Sequence, residues 1–228
     1  STNTIVTLTA DYGNVTITYD GTNGIINAAN MDLKESEKGT HKEYLMKFNI
    51  ASTATITHNI SINWSNVTNT FCQYQNNGNC TGLSTDTYVG DELNYSLYEC
   101  TQTAYGSVTL SNVKTTCTIV GNPYRSAPLT GETTAMQNSE KIALPSNSTK
   151  YYVVVLRMEN LIGKEQNYNQ GKTFTGRINV DYKKPWQDDC NTTPNQLNCT
   201  IINNNQIYKD NEASTYVSSA NGIDFGAI

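Results

Sequence analysis

Hydrophobic and polar residues alternate along several stretches of the chain, and a period of two is the pattern of a half-buried β-strand. The clearest stretch places Ile56, His58, Ile60, Ile62 and Trp64 on one face, with only threonine, asparagine and serine on the other. We therefore predict a strand whose apolar face packs against a core. A single histidine on such a face is better explained as a core or edge residue than as a metal ligand.

Other stretches predict further strands. Tyr151–Met158 is nearly continuous in apolar residues, which is typical of a strand in the middle of a sandwich. Phe174–Tyr182 alternates again, with Gly176 on its apolar face. Shorter or less regular strands are predicted at Thr4–Ala10, Val15–Tyr19, His41–Ile50, Leu93–Cys100 and Lys141–Leu144.

Short strands that are separated by turn residues at intervals of about 8–12 residues indicate an all-β fold, built as an antiparallel sandwich. We expect a hairpin system from Leu93–Cys100, Gly106–Leu110 and Thr115–Val120, crossed by a Cys100–Cys117 bridge, and a long loop over Asn122–Ser139. Towards the C-terminus the composition shifts to asparagine, aspartate and serine. We therefore assign residues 1–186 to a sandwich domain, and residues 187–228 to a disulfide-stapled, Asn-rich extension or the start of a further module.

Composition narrows the class of protein. The 228 residues carry a net charge of −5 and only 15% charged residues, without a basic cluster, so we expect no nucleic-acid partner. Threonine, isoleucine, valine and tyrosine are frequent, which favours strands over disorder. No apolar run approaches the roughly 20 residues that a transmembrane helix needs, so we expect no membrane span.

The six cysteines are grouped in three close pairs. We predict the disulfides Cys72–Cys80, Cys100–Cys117 and Cys190–Cys199, each worth about 2–3 kcal/mol in the chain-entropy model. Zinc ligands are usually more closely spaced, and His41 and His58 lie far from the pairs, so a metal site is the weaker alternative. Disulfides imply an oxidising compartment, and we therefore expect an extracellular or cell-surface location.

Asn-x-Ser/Thr sequons would make the chain a glycoprotein wherever its source has the enzymes for N-glycosylation. A chain rich in asparagine and threonine also produces sequons by chance, so they are not evidence of glycosylation by themselves. The nine sequons begin at Asn14, Asn59, Asn63, Asn66, Asn79, Asn94, Asn147, Asn191 and Asn198.

Catalytic motifs are missing from the sequence. It contains no P-loop, dinucleotide-binding glycine motif, His-Glu-x-x-His motif or Gly-x-Ser-x-Gly elbow, so we expect no enzyme activity, no metal and no cofactor. Loop acids that could hold calcium through their oxygens are Asp20, Asp86 and Asp91. Tyrosines whose rings could stack on sugars are Tyr12, Tyr19, Tyr124 and Tyr168. The favoured alternatives are solvated acids and ordinary edge tyrosines with their hydroxyls in water.

Part of the sequence is similar to a known family. The strand Tyr151–Leu156 and the later segment Gln166–Val180, which contains Asn-Tyr-Asn-Gln-Gly-Lys-Thr-Phe-Thr-Gly, resemble the C-terminal strands of TasA/camelysin-like secreted proteins and of related archaeal pilus subunits. The stretch from Lys38 to Trp64 is similar to the polar loop and paired strands that come earlier in that family. The six cysteines and the Asn-rich tail depart from it. Camelysin-like members have been called metalloproteases, but this sequence has no metal-binding signature, so we do not carry over that activity.

The resemblance implies a jelly-roll or Ig-like sandwich that is exported and assembles head-to-tail into a pilus or a biofilm-matrix fibre. In such filaments a terminal strand of one subunit completes the sheet of the next, which is donor-strand complementation. The candidate donor is the segment 1–10, whose Ile5, Val6 and Leu8 could fill a groove. The tail Ile223–Ala227 is the other candidate. The main partner would then be another copy of this chain.

The alternative function is an adhesin or stalk domain of a larger cell-surface protein that binds glycans or host protein through its loops. The position of Thr4–Ala10 distinguishes the two functions. A donor strand lies in the sheet of a neighbouring subunit, whereas in an adhesin module the segment pairs within its own chain.

Overall fold

A computed structural model describes residues 4–10, 13–21, 25–28, 34–72, 92–138, 141–163, 166–183, 199–202 and 206–209. The strands are β1 (Thr4–Ala10), β2 (Gly13–Asp20), β3 (Ile25–Ala28), β4 (His41–Ser52), β5 (His58–Asn69), β6 (Leu93–Cys100), β7 (Thr118–Ser126), β8 (Thr134–Ala135), β9 (Ile142–Leu144), β10 (Thr149–Glu159), β11 (Phe174–Lys183), β12 (Cys199–Ile202) and β13 (Gln206–Lys209). The helical elements are α1 (Gln102–Ser107), α2 (Val113–Thr116) and the 3₁₀ turns Glu35–Glu37 and Asn167–Asn169. The predicted all-β fold is confirmed.

One sheet of the sandwich has six strands in the order β1-β2-β4-β10-β6-β7, and all its neighbours are antiparallel. β10 lies in the interior of this sheet, with Val154 opposite Met46 of β4 and Leu97 of β6. The apolar run in β10 follows from this position, because side chains on both of its faces are covered. Val154 points into the sandwich, and Val153 lies in a second apolar cluster on the outer face.

The second sheet has the order β3-β11-β5-β8, with β9 also paired to β5. β5 begins at His58, two residues later than the alternation suggests. β3 is only four residues long and covers only Phe174–Arg177 of β11. The longer part of β11, from Ile178 onward, therefore has β5 on one side and no described strand on the other.

The core fills the space between the two sheets. Trp64 of β5 contacts Tyr95 of β6 and Phe174 of β11 edge-on, with ring centroids 5.4 Å apart in both pairs. Phe48 stacks on Tyr152 at 5.6 Å within the six-stranded sheet. Alternating side chains of both sheets form one continuous cluster, as expected for a sandwich.

The segment between β6 and β7 corrects one prediction. Instead of the predicted strand Gly106–Leu110, the chain forms α1 and α2. We call residues 101–117, which contain both helices and their connection, the helical clip. Thr101 caps α1, because its hydroxyl accepts a hydrogen bond from the Ala104 amide at 3.2 Å. The clip packs on Val153 in the outer apolar cluster.

The predicted loop over Asn122–Ser139 is also corrected in part. Its first residues belong to β7, which continues to Ser126, and Thr134–Ala135 forms β8 against β5. Pro123 lies within β7, because an edge strand tolerates proline where the missing amide hydrogen would face away from its neighbour.

The cysteines agree with the predicted pairing where the structure describes them. The Cys100–Cys117 disulfide is confirmed and closes the helical clip, with Cα atoms 4.5 Å apart. Cys72 is also disulfide-bonded. Its predicted partner Cys80 lies outside the described residues, as does Cys190. Cys199 begins β12, which pairs antiparallel with β13 in a two-stranded sheet.

Candidate functional site

β1 forms one edge of the six-stranded sheet. Its seven residues pair with β2 in an uninterrupted register. Ile5 is 62% exposed and Val6 is 39% exposed, whereas Leu8 packs partly buried against the core. The three donor candidates therefore lie in a strand that pairs within its own chain, which is the arrangement expected of an adhesin module.

A cleft of about 320 Å³ lies between this edge and β11. One wall consists of Val6 and Leu8 of β1 with Ile17 and Tyr19 of β2. The other wall is the stretch of β11 from Arg177 to Asp181, which β3 does not cover beyond Arg177. The cleft therefore combines apolar side chains with a stretch of β11 that has, among the described strands, no neighbour on this side.

The Tyr19 hydroxyl connects the two walls. It donates a hydrogen bond to the main-chain oxygen of Ile178 at 2.7 Å, which satisfies one outward-facing carbonyl of β11. Burial raises the pKa of Tyr19, and the positive charge of Arg177 partly opposes that shift. Main-chain groups alternate along a strand, so the groups of Val180 and Tyr182 face the same side as the Ile178 carbonyl.

The opposite edge of the same sheet is irregular. The register between β6 and β7 shifts at a bulge between Tyr95 and Leu97. Gly121 and Tyr124 in β7 have φ angles of 74° and 52°, and Pro123 lies between them. A bulge, a proline and left-handed residues all disturb the regular ladder that another strand would need.

Tyr124 projects from this bulge onto the outer face of the sheet and is 46% exposed. The Lys114 ammonium lies 5.2 Å from its ring centroid, and the Arg157 guanidinium lies 4.7 Å from it. A hydrogen bond with Tyr124 raises the pKa of Lys114. Arg157 is itself held by Glu159, with nitrogen–oxygen distances of 2.7 and 3.1 Å.

The two other described tyrosines proposed for sugar stacking, Tyr19 and Tyr168, do not form a platform with Tyr124. Tyr19 lies near the end of β2, as the predicted strand Val15–Tyr19 implies, but it is buried, so its ring is not available to stack on a sugar. Tyr168 lies in the 3₁₀ turn Asn167–Asn169 and is half-buried. Tyr12 lies outside the described residues. The three described rings therefore do not form one platform.

The loop acids do not form a metal site among the described residues. The Asp20 carboxylate lies 3.5 Å from the Lys47 ammonium in an ion pair. Asp86 and Asp91 lie outside the described residues. Within the described ranges, no group of three histidine, cysteine, aspartate or glutamate side chains could hold a metal ion.

The sequons differ in accessibility. Asn14, Asn66 and Asn147 are exposed, and the latter two adopt positive φ angles of 48° at turns or bulges. Asn59 is half-buried, whereas the side chains of Asn63 and Asn94 are buried. A glycan needs an exposed asparagine, so the first three are the better candidates for attachment. Those outside the described residues are Asn79, Asn191 and Asn198.

A buried carboxylate was not predicted from the sequence. Glu92 is 1% exposed, and its Oε2 accepts hydrogen bonds from Gln166 Nε2 at 2.9 Å and Asn169 Nδ2 at 3.0 Å. The Asn169 Oδ1 in turn accepts a hydrogen bond from the Cys72 amide at 2.8 Å. Burial raises the pKa of Glu92, although these bonds and the charge of Lys38 oppose the shift. The sequence around Glu92 does not reveal its burial, because its hydrogen-bond partners Gln166 and Asn169 are 74 and 77 residues away.

Comparisons with family models, curated proteins and solved structures find no match to this chain. No helix in the described ranges is long and apolar enough to cross a membrane. The features of the described fold that bear on function are the two edges of the six-stranded sheet and the cleft.

Proposed function

We propose that this chain is a structural subunit of an extracellular filament, such as a pilus or a surface matrix fibre, that assembles head-to-tail by β-strand addition. The contact lies at the β1 edge and its cleft. The main support is the contrast between the two edges of the six-stranded sheet, because only one of them is suited to receive another strand.

The β7 edge is blocked by its bulge, by Pro123 and by the left-handed Tyr124. β1 has none of these features, since its sequence Thr-Ile-Val-Thr-Leu-Thr-Ala contains no charge, proline or glycine and pairs regularly. An exposed, regular and uncharged edge strand promotes association, and soluble proteins usually avoid one. The six-stranded sheet thus keeps a regular, uncharged edge at β1 while its other edge, at β7, is blocked. This contrast supports a role of the β1 edge in pairing with another strand.

The cleft supports the same contact. A strand added along β11 from Ile178 would extend the second sheet past the end of β3. Alternate side chains of that strand would then point at Val6, Leu8 and Ile17. Main-chain pairing would provide affinity and the apolar wall would provide register, which is how β-strand addition works.

β1 pairs within its own chain, which is the arrangement expected of the adhesin alternative, so the filament requires β1 to leave its own β2 and be exchanged between subunits. Ile5 and Val6 remain exposed, so β1 buries little apolar surface beyond Leu8. A β1 supplied by a neighbouring copy would make the same contacts with β2, which is the principle of strand swapping. Such a contact joins two different surfaces, and it builds an open filament when the rotation from one copy to the next does not close a ring.

Negative-stain electron microscopy of the purified chain at neutral pH tests the proposal, beside a variant that lacks residues 1–10. We expect regular filaments from the full chain and none from the truncated one. Val6→Lys should also prevent filaments, because it places a charge on the open edge. Ile119→Lys is the matched control, since Ile119 is similarly exposed (36%) on the blocked β7 edge.

Filaments that survive the truncation would move the donor to the C-terminal tail. Stable monomers from the unmodified chain under all conditions would contradict the filament and favour the adhesin or stalk module. Filaments that Val6→Lys and Ile119→Lys abolish equally would contradict the assigned edge.

A further inference from the structure

Tyr124 has an unfavourable backbone conformation that its packing does not explain. The non-glycine residues with positive φ in the described ranges are three asparagines and Tyr124. Asparagine tolerates the left-handed region, whereas a bulky side chain there is an outlier that costs about 1–3 kcal/mol. Burial does not offset this cost, because the Tyr124 side chain remains 46% exposed.

Several elements nevertheless hold Tyr124 in place. The Tyr124 amide donates a hydrogen bond to Ser96 Oγ of β6 at 2.9 Å. Lys114 comes from the helical clip, which the Cys100–Cys117 disulfide closes, and Arg157 comes from β10. These contacts fix the ring while the residue stays 46% exposed, and strain at a fixed, exposed residue is typical of a binding site.

The chemistry around the ring favours a neutral ligand. The positive charges of Lys114 and Arg157 are balanced by Glu43 and Glu159, which interact electrostatically with one or both of them. An anion would therefore gain little from this face. Hydroxyl groups can accept hydrogen bonds from the Lys114 ammonium and donate them to carboxylates, and an aromatic ring can cover an apolar C–H surface.

We propose that Tyr124, with Lys114, binds a neutral pyranose on the outer face of the six-stranded sheet. The sugar packs its C–H face on the exposed part of the tyrosine ring and directs its hydroxyls at the Lys114 ammonium and the Tyr124 hydroxyl. This site does not depend on the proposed filament, because it lies beside the β7 edge, at the opposite end of the sheet from β1.

Saturation-transfer difference NMR on the full chain tests the site. The probes are the methyl β-pyranosides of glucose and galactose at millimolar concentration, with N-acetylneuraminic acid as the acidic comparison. We expect transfer to at least one neutral pyranoside and a loss of at least about tenfold in affinity, or 1.4 kcal/mol, for Tyr124→Gly. Glycine adopts the left-handed φ without strain, so this variant should unfold at the same or a higher Tm.

Tyr105→Ala is the matched control, because Tyr105 lies on the same face under a lysine, with the Lys47 ammonium 4.5 Å from its ring centroid. Saturation transfer from the Tyr105→Ala variant to the neutral pyranosides should equal that from the unmodified chain. The proposal is overturned if neither neutral pyranoside shows transfer, if only N-acetylneuraminic acid does, or if Tyr124→Gly, shown to be folded by its Tm, binds as well as the unmodified chain.

Discussion

Glu92 shows how a single buried group can make the stability of the whole fold depend on pH. Its folded pKa is raised above the ordinary value of 4.5, so the folded chain holds this proton more tightly than the unfolded chain does. The stability that the proton confers is fully present below pH 4.5 and is lost as the pH rises through the raised pKa. Ionised Glu92 is therefore a cost to the fold near neutral pH.

Glu92→Gln should remove this dependence. The amide oxygen of glutamine still accepts the hydrogen bonds of Gln166 and Asn169, and the side chain does not titrate. We expect the Tm of Glu92→Gln minus the Tm of the unmodified chain to increase as the pH rises from 4.5 to 7.5, measured by thermal unfolding. A Tm difference for Glu92→Gln that does not change with pH would contradict the assignment.

Gly176 illustrates a close approach that only glycine allows. A Cβ atom there would lie 2.8 Å from the Trp64 ring and 2.9 Å from the Phe174 ring. We expect Gly176→Ala to lower the free energy of unfolding by about 1–3 kcal/mol through overpacking, as measured by urea denaturation. Gly106→Ala is the control, because the added methyl group meets no atom within 4 Å. It should be neutral or stabilise α1 by up to about 1 kcal/mol. Equal effects at both positions would rule out the packing explanation.

At the level of the elements, the sequence predicts the long strands well and the short elements poorly. β5, β10 and β11 each contain at least four inward positions with period two, and their faces in the structure agree with that pattern. α1 and α2 have six and four residues, which is too short to produce a helical period. Local capping by Thr101 and packing against Val153 determine these helices instead.

The helical clip depends on its disulfide more than on its helices. Isolated helices of this length are unstable in water, so the clip must be held by Cys100–Cys117 and by its apolar contacts. Replacing both cysteines with serine should lower the free energy of unfolding by about 2–4 kcal/mol, measured by urea denaturation under oxidising conditions. The variant should also bind a hydrophobic dye, because Val153 and Val155 lose their cover. Unchanged stability would mean that packing alone holds the clip.

At the level of the whole molecule, the class of fold follows from the sequence but the candidate site does not. Ile5, Val6 and Leu8 could be recognised as apolar residues of a terminal strand. The cleft, however, exists because β3 ends where β11 continues, and that depends on the pairing of strands far apart in sequence. The left-handed conformation of Tyr124 is similarly invisible, because tyrosine is otherwise an ordinary strand residue.

The arrangement of the six-stranded sheet predicts a gradient of local stability from β10 to β1. β10 pairs along its length with β4 and β6 and is buried on both faces. Among the described strands β1 pairs with β2 alone, and it leaves Ile5 and Val6 exposed. Strands with few buried contacts open at a small fraction of the global unfolding free energy. Release of β1 for exchange with a neighbouring subunit should therefore not require the sandwich to unfold.

Hydrogen exchange of the monomeric chain, read by mass spectrometry, measures this gradient. We expect peptides from β1 to exchange on the order of 100-fold faster than peptides from β10. β7 is the internal control, because it is also an edge strand but is joined to β6 by the clip and its disulfide, and it should lie between the two. If β1 is protected as strongly as β10, then β1 is an integral part of the sandwich and strand exchange at this edge is ruled out.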